Sequence, residues 1–146
     1  MKLSSKERTG LHAMVELARH HGAGPVPLSK VADAQGLPLP YLGRIAASLR
    51  RADLLESVRG VHGGYMLSRS PAEISVGDIF RAVEGSLMSL DCMREDACCA
   101  REATCATRSV WAVVSARLKE TLDSTTLADV LLETCGTALT ISVEEA

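Results

Sequence analysis

Leu28-Ser29-Lys30-Val31-Ala32-Asp33-Ala34-Gln35-Gly36 and, beyond Leu37 and Pro38, Leu39-Pro40-Tyr41-Leu42-Gly43-Arg44-Ile45-Ala46-Ala47-Ser48-Leu49-Arg50-Arg51 decide the fold. The first string reads as a short helix closed by Gly36, because glycine takes the tight turn that stops a helix at little cost. In the second string Pro40 sits in the first helical turn, where its missing N–H is no loss. Leu42, Ile45, Ala46 and Leu49 then recur on one face. Leu54–Arg59 predicts a strand, Gly60-Val61-His62-Gly63-Gly64 a turn, and Tyr65-Met66-Leu67 a returning strand. Two short helices with a glycine turn, followed by a glycine-tipped hairpin, predict a winged helix-turn-helix: mainly α with a small β wing.

In that arrangement the second helix of the pair enters the major groove of DNA and offers its early residues to base edges. Here these are Pro40, Tyr41, Gly43 and Arg44. Arg44 can make bidentate bonds to guanine, the commonest specific contact. Arg50 and Arg51, late in the helix, are placed for phosphates. Arg59, Gly60 and His62 belong to the wing, from which Arg59 can enter a narrow minor groove. Each feature alone has a plainer reading. A helix pair with a glycine turn occurs in bundles, Arg50-Arg51 suits any solvated helix end, and Gly63-Gly64 suits any hairpin. The ordered combination favours DNA, since a structural accident need not put cations at both reading positions.

Upstream, Ser4-x-x-Glu7 forms a capping box for a helix over 4–21, with Leu11, Met14, Val15 and Ala18 on one face. Downstream, Ser75-x-x-Asp78 caps a short helix carrying Ile79, Phe80 and Val83. Residues 91–105 lack periodicity and read as a loop. Trp111, Val114, Leu118 and Leu122 then predict a helix over 106–122, and a last short helix over 126–134 follows. The organisation expected is a DNA-binding region 1–70, a segment 71–134 holding the loop and the long helix, and a flexible acidic tail 135–146.

The charge is divided along the chain. Residues 1–70 carry ten Lys/Arg against five Asp/Glu, whereas residues 71–146 carry six against thirteen. A basic first half suits a polyanion, although solvated faces alone vary this much. No run approaches the 18 apolar residues of a membrane span, which argues against a membrane partner. The first residues resemble no secretory signal, so a cytoplasmic protein is expected. No Ser/His/Asp constellation, phosphate-cradling glycine loop or paired-carboxylate motif marks an enzyme.

Four of the five cysteines, Cys92, Cys98, Cys99 and Cys105, fall within 14 residues; Cys135 stands apart and reads most simply as a buried or half-buried small residue. In a reducing compartment such clustering points to metal, cluster or redox chemistry. Thiolates are soft ligands suited to iron–sulfur clusters. Zinc fits less well, since Cys98 and Cys99 are adjacent rather than two to four residues apart. A metal-free thiol switch is the rival, with Arg94, Arg101 and Arg108 able to lower thiol pKa values.

The chain resembles the Rrf-two superfamily of bacterial winged-helix regulators, in particular the iron–sulfur IscR type, over about residues 1–134. The resemblance rests on Met1-Lys2-Leu3-Ser4, Gly24-Pro25-Val26-Pro27-Leu28, Tyr41-Leu42, Ser57-Val58-Arg59-Gly60-x-x-Gly63-Gly64-Tyr65-x-Leu67 and the clustered cysteines. It implies a homodimer whose long helix forms the seam through Trp111, Val114, Leu118 and Leu122. That dimer would read a pseudo-palindromic double-stranded operator, with a 2Fe–2S or 4Fe–4S cluster setting its affinity for DNA. The same stripe also fits a core within one chain. Cys92, Cys98 and Cys105 are the implied ligands, with Cys99 an alternative middle or a fourth ligand. Cys92-x5-Cys98 keeps the family's first interval. Arg108 stands where many IscR-type proteins have histidine, and an always-charged guanidinium is no ordinary ligand. The fourth ligand is therefore open among Cys99, Asp91, Asp96, Glu102, and Glu7 or His12 from the first helix of a second copy. Glu7 already has a capping role, and His12 suits an exposed helix face. NsrR-type nitric-oxide sensors and CymR-type cysteine sensors are relatives. Two other classes are a small electron-transfer protein and a metal- or thiol-based interaction module; neither predicts salt-sensitive DNA binding.

Overall fold

A computed structural model describes residues 3–87 and 104–133. Helix α1 spans Ser5–Arg19, α2 Leu28–Gln35 and α3 Leu39–Arg51; strands β1, Leu55–Val58, and β2, Gly64–Leu67, follow. A single 3₁₀ turn at Pro71–Glu73 leads to α4, Val76–Glu84, and beyond it stand α5, Arg108–Ser124, and α6, Leu127–Glu133. The order is the mainly helical winged helix-turn-helix expected from the sequence. Among the described residues no helix is long and apolar enough to cross a membrane.

Local chemistry sets the boundaries. The Ser4–Glu7 capping box forms: the Glu7 N–H donates to Ser4 Oγ at 3.1 Å and the Ser4 N–H to Glu7 Oε2 at 2.7 Å. Ser75 and Asp78 cap α4 in the same way. Gly36 closes α2 in the left-handed region, at φ 61° and ψ 37°. The predicted helix over 4–21 ends earlier, at Arg19, and the predicted 106–122 helix lies two residues further on.

The wing is an antiparallel pair in the register Leu55↔Leu67 to Val58↔Gly64. Val26, between Pro25 and Pro27, bridges to Tyr65, with backbone hydrogen bonds of 2.9 and 2.8 Å. Gly64 is required there. A Cβ on it would lie 2.3 Å from the Val26 carbonyl carbon and oxygen.

One hydrophobic core joins Ala13, Met14 and Leu17 of α1, Val31 of α2, Leu42, Ile45 and Leu49 of α3, Leu67 of β2, Ile79 and Phe80 of α4, and Leu127 of α6. It crosses residue 70, so the head and α4 share one packing unit. The inward face of α1 also differs from expectation. Ala13, Met14, Leu17 and Ala18 are buried, whereas Leu11 and Val15 are half-buried at its margins. Small residues bring α1 close to α4, where a Cβ on Gly10 would sit 3.1 Å from Val83 Cγ1.

Candidate nucleic-acid interface and cysteine segment

The core face of α3 turns its opposite face outward. Leu42, Ile45, Ala46 and Leu49 are buried, and their burial leaves Arg44, Arg50 and Arg51 exposed. The helix contains no acidic residue. Each of its three arginines has an uncharged partner. The Arg44 guanidinium carbon stands 5.6 Å from the centroid of the Tyr41 ring. Arg51 Nη2 donates to Ser48 Oγ at 3.1 Å, and Arg50 Nη1 donates to Ser57 Oγ of β1 at 3.1 Å. The last bond ties the wing to the helix. Carboxylate partners would cancel this charge, but a ring and two hydroxyls leave it available to a polyanion.

Arg59, Gly60 and His62 are exposed at the wing tip, with Gly60 at φ 116°. Val61 between them is 97% exposed. The sequence reading passed over it because an apolar residue in a glycine-rich turn carries no periodicity. It likewise named none of the hydroxyl partners Ser48 and Ser57, because a serine's partner depends on how helix and wing are packed.

Of the cysteines, Cys105 is described; Cys92, Cys98, Cys99 and Cys135 lie outside the described residues, as do Asp91, Arg94, Asp96, Arg101, Glu102 and the tail 135–146. Cys105 is exposed three residues before α5, with Sγ 3.4 Å from Thr107 Oγ1. The Thr107 hydroxyl, then the Thr107 amide, the Arg108 amide and the Arg108 charge hold its thiol below the ordinary cysteine range, against a small opposing effect of burial. An exposed cysteine sulfur is a soft donor of the kind that iron or zinc takes. Glu7 is committed to the α1 cap, and exposed His12 places Nδ1 2.9 Å from Gln35 Oε1.

Helix α5 buries none of its residues in the chain itself. Val110, Trp111, Val113 and Val114 are each more than 40% exposed. The expected four-residue stripe divides. Leu122 packs against the chain's own core, while Trp111 and Val114 do not.

These features define a winged helix-turn-helix protein with a cationic outer face on α3. Residues 3–133 match the Rrf2 family, described as an iron-dependent transcriptional regulator, and the chain belongs to that family. The HTH-type transcriptional regulator CymR of Bacillus subtilis is 39% identical over 136 residues, covering 93% of this chain and 94% of that protein. A solved structure of CymR, described as the global cysteine regulator of B. subtilis, superposes with a TM-score of 0.77 over 91% of this chain and 98% of that one. The HTH-type transcriptional regulator IscR of Sodalis glossinidius is 38% identical over 131 residues, 90% of this chain and 79% of that protein. The structure of T. potens IscR has a TM-score of 0.77 at 44% identity, covering 94% of this chain and 93% of that one.

Proposed function

We propose that the chain is a cytoplasmic, homodimeric transcriptional regulator whose affinity for a double-stranded operator is set by an iron–sulfur cluster, 2Fe–2S or 4Fe–4S. Residues 1–70 read DNA through Tyr41, Arg44, Arg50, Arg51, Arg59, Gly60 and His62. Residues 71–134 hold the cluster and the dimer seam. The ligands are Cys92, Cys98 and Cys105, with Cys99 as an alternative middle or a fourth ligand. The observation that carries the reading is the placement of Cys105: an exposed thiol, 3.4 Å from Thr107 Oγ1, immediately ahead of a helix that buries none of its residues.

When bound, the cluster supplies a centre sensitive to iron–sulfur supply, redox state or nitric oxide. The chain's own part is mechanical. Thr107, 3.4 Å from its sulfur, holds Cys105 at the start of α5. Trp111 and Val114, six and nine residues further on, meet the second copy. Binding a group at Cys105 therefore changes how the two α5 helices meet, and with it the spacing of the two α3 helices. Such coupling requires the group to favour one dimer arrangement over another. The fall of the Cys105 pKa also favours a second reading, a cluster-free thiol switch, and the CymR relative described as a global cysteine regulator supports it.

Anaerobic purification separates the two. A brown protein with stoichiometric iron and sulfide, both lost in Cys105→Ala, supports the cluster. A colourless protein whose DNA affinity follows reversible thiol oxidation supports the switch.

A further inference from the structure

Arg44 and Tyr41 are three residues apart on α3 and so share one face of the helix. The two side chains are not equally free. Tyr41 is half-buried and packs against the core formed around Leu42 and Leu49, whereas Arg44 is exposed. The anchored ring therefore fixes the mobile guanidinium, at a centroid distance of 5.6 Å that lies within cation–π range. No ion pair competes for Arg44 among the described residues. Gly43 adds no side chain beside it, and a Cβ built there would meet nothing within 4 Å. Arg50 and Arg51 differ, since hydroxyls hold them at the far end of the helix.

We infer that Tyr41 is a positioning residue, whose part in the DNA-reading set is to orient Arg44 to read one guanine in the major groove of each half-site. The inference rests on the DNA-reading role assigned to α3 above and adds a division of labour within it. A free arginine samples many rotamers and satisfies any phosphate it meets. A guanidinium whose plane is set before contact presents its paired N–H donors to the O6 and N7 acceptors of guanine with less ordering cost. Stacking therefore converts a general cation into a base-specific one. The remaining arginines of α3, held by hydroxyls near the wing, supply affinity without sequence preference.

The test uses the full-length protein, prepared anaerobically, and a randomised duplex DNA library as probe. Wild-type protein is expected to enrich a site containing a G·C pair whose preference vanishes in Arg44→Ala. Tyr41→Phe keeps the ring and restores the full preference. Tyr41→Leu lowers the preference for guanine at that pair about tenfold, with little change in affinity for the same site carrying another base pair there. Adding Tyr41→Leu to Arg44→Ala produces no further loss of preference. In the DNA-free wild type, the Arg44 side-chain proton resonances show the upfield ring-current shift of a stacked group, and those of Arg51 do not. This reading holds even if Tyr41→Leu fails to fold. Equal weakening on both sites in Tyr41→Leu makes the residue merely structural and overturns the proposal, as does an unshifted Arg44. Enrichment unaffected by Arg44→Ala overturns it while leaving DNA binding intact. No enrichment by the wild type overturns it together with the DNA-reading role of α3.

Discussion

Glu16 and Gly64 show how much a single position can carry that its neighbours in sequence do not announce. Glu16 is only 8% exposed, yet it sits on the polar edge of α1, where Arg19 Nη1 and Gln35 Nε2 each donate to its Oε2 at 3.0 Å. The acceptor has one partner on its own helix and one on α2, so it pins the first helix of the reading pair. Nothing in the spacing of α1 marks it, because Gln35 lies nineteen residues away. Gly64 was legible as a turn glycine, but its close approach to Val26 was not. Gly64→Ala places a methyl group against backbone that cannot give way. It is expected to cost about 2–3 kcal/mol of folding free energy, measured by urea denaturation, through displacement of the wing. Arg44→Ala, by contrast, is expected to leave the urea midpoint unchanged, because the side chain is exposed.

At the scale of elements, α4 and α5 meet at a charged joint. Arg81 of α4 places Nη2 3.0 Å from Asp78 Oδ1 and Nη1 2.7 Å from Asp123 Oδ1 of α5. Gly77 permits the approach, since a Cβ there would lie 2.1 Å from Asp123 Oδ1. Gly77→Ala is therefore expected to displace the Asp123 carboxylate and break its pairing with Arg81, with a fall in the urea midpoint. The Asp78 carboxyl also fixes a pH dependence. Burial raises its pKa, but hydrogen bonds from the Ser75 amide, Arg81 and the Ser75 hydroxyl outweigh that and hold it below the ordinary aspartate range. A folded-state pKa below the unfolded value contributes stability that is present above the unfolded pKa, about 3.9, and is lost as pH falls through the folded one. Asp129 has the same sign, held down first by the Thr126 amide. Urea midpoints measured between pH 6 and pH 3 should fall, and Asp78→Asn should flatten that fall. A slope that Asp78→Asn leaves unchanged would contradict the assignment. Most element boundaries were readable because capping boxes, Pro40 and Gly36 are local signals. The inward face of α1 was misjudged because large apolar side chains dominate a periodicity argument, whereas helices that approach closely bury small ones such as Gly10 and Ala13. The joint at Asp123 was unreadable for another reason: it depends on where α5 returns to the core.

For the whole molecule, the exposed face of α5 and the cationic face of α3 make linked demands. Val114→Glu is expected to yield monomers by analytical ultracentrifugation at micromolar concentration, with the thermal midpoint of the head retained, since Val114 is outside the core. A two-fold dimer carries each phosphate contact twice. Arg51→Ala should then reduce the slope of log affinity against log salt by about 2, from roughly 0.9 per contact, uniformly across sequences. The element order of residues 1–70 was legible, with bounds that shifted by up to two residues at α1 and by one at β1. The cysteine segment offers candidate ligand types, but neither the choice between Cys98 and Cys99 nor the fourth ligand, because sequence spacing does not say which sulfurs converge.

Operator affinity measured without oxygen, on one preparation before and after removal of its iron and sulfide, tests the central claim most directly. A change of at least tenfold, matched by the Cys92→Ala, Cys98→Ala and Cys105→Ala variants in their cluster-free state, is the predicted result. Identical affinities for the two forms, or variants that retain the parent's iron and sulfide, would contradict it.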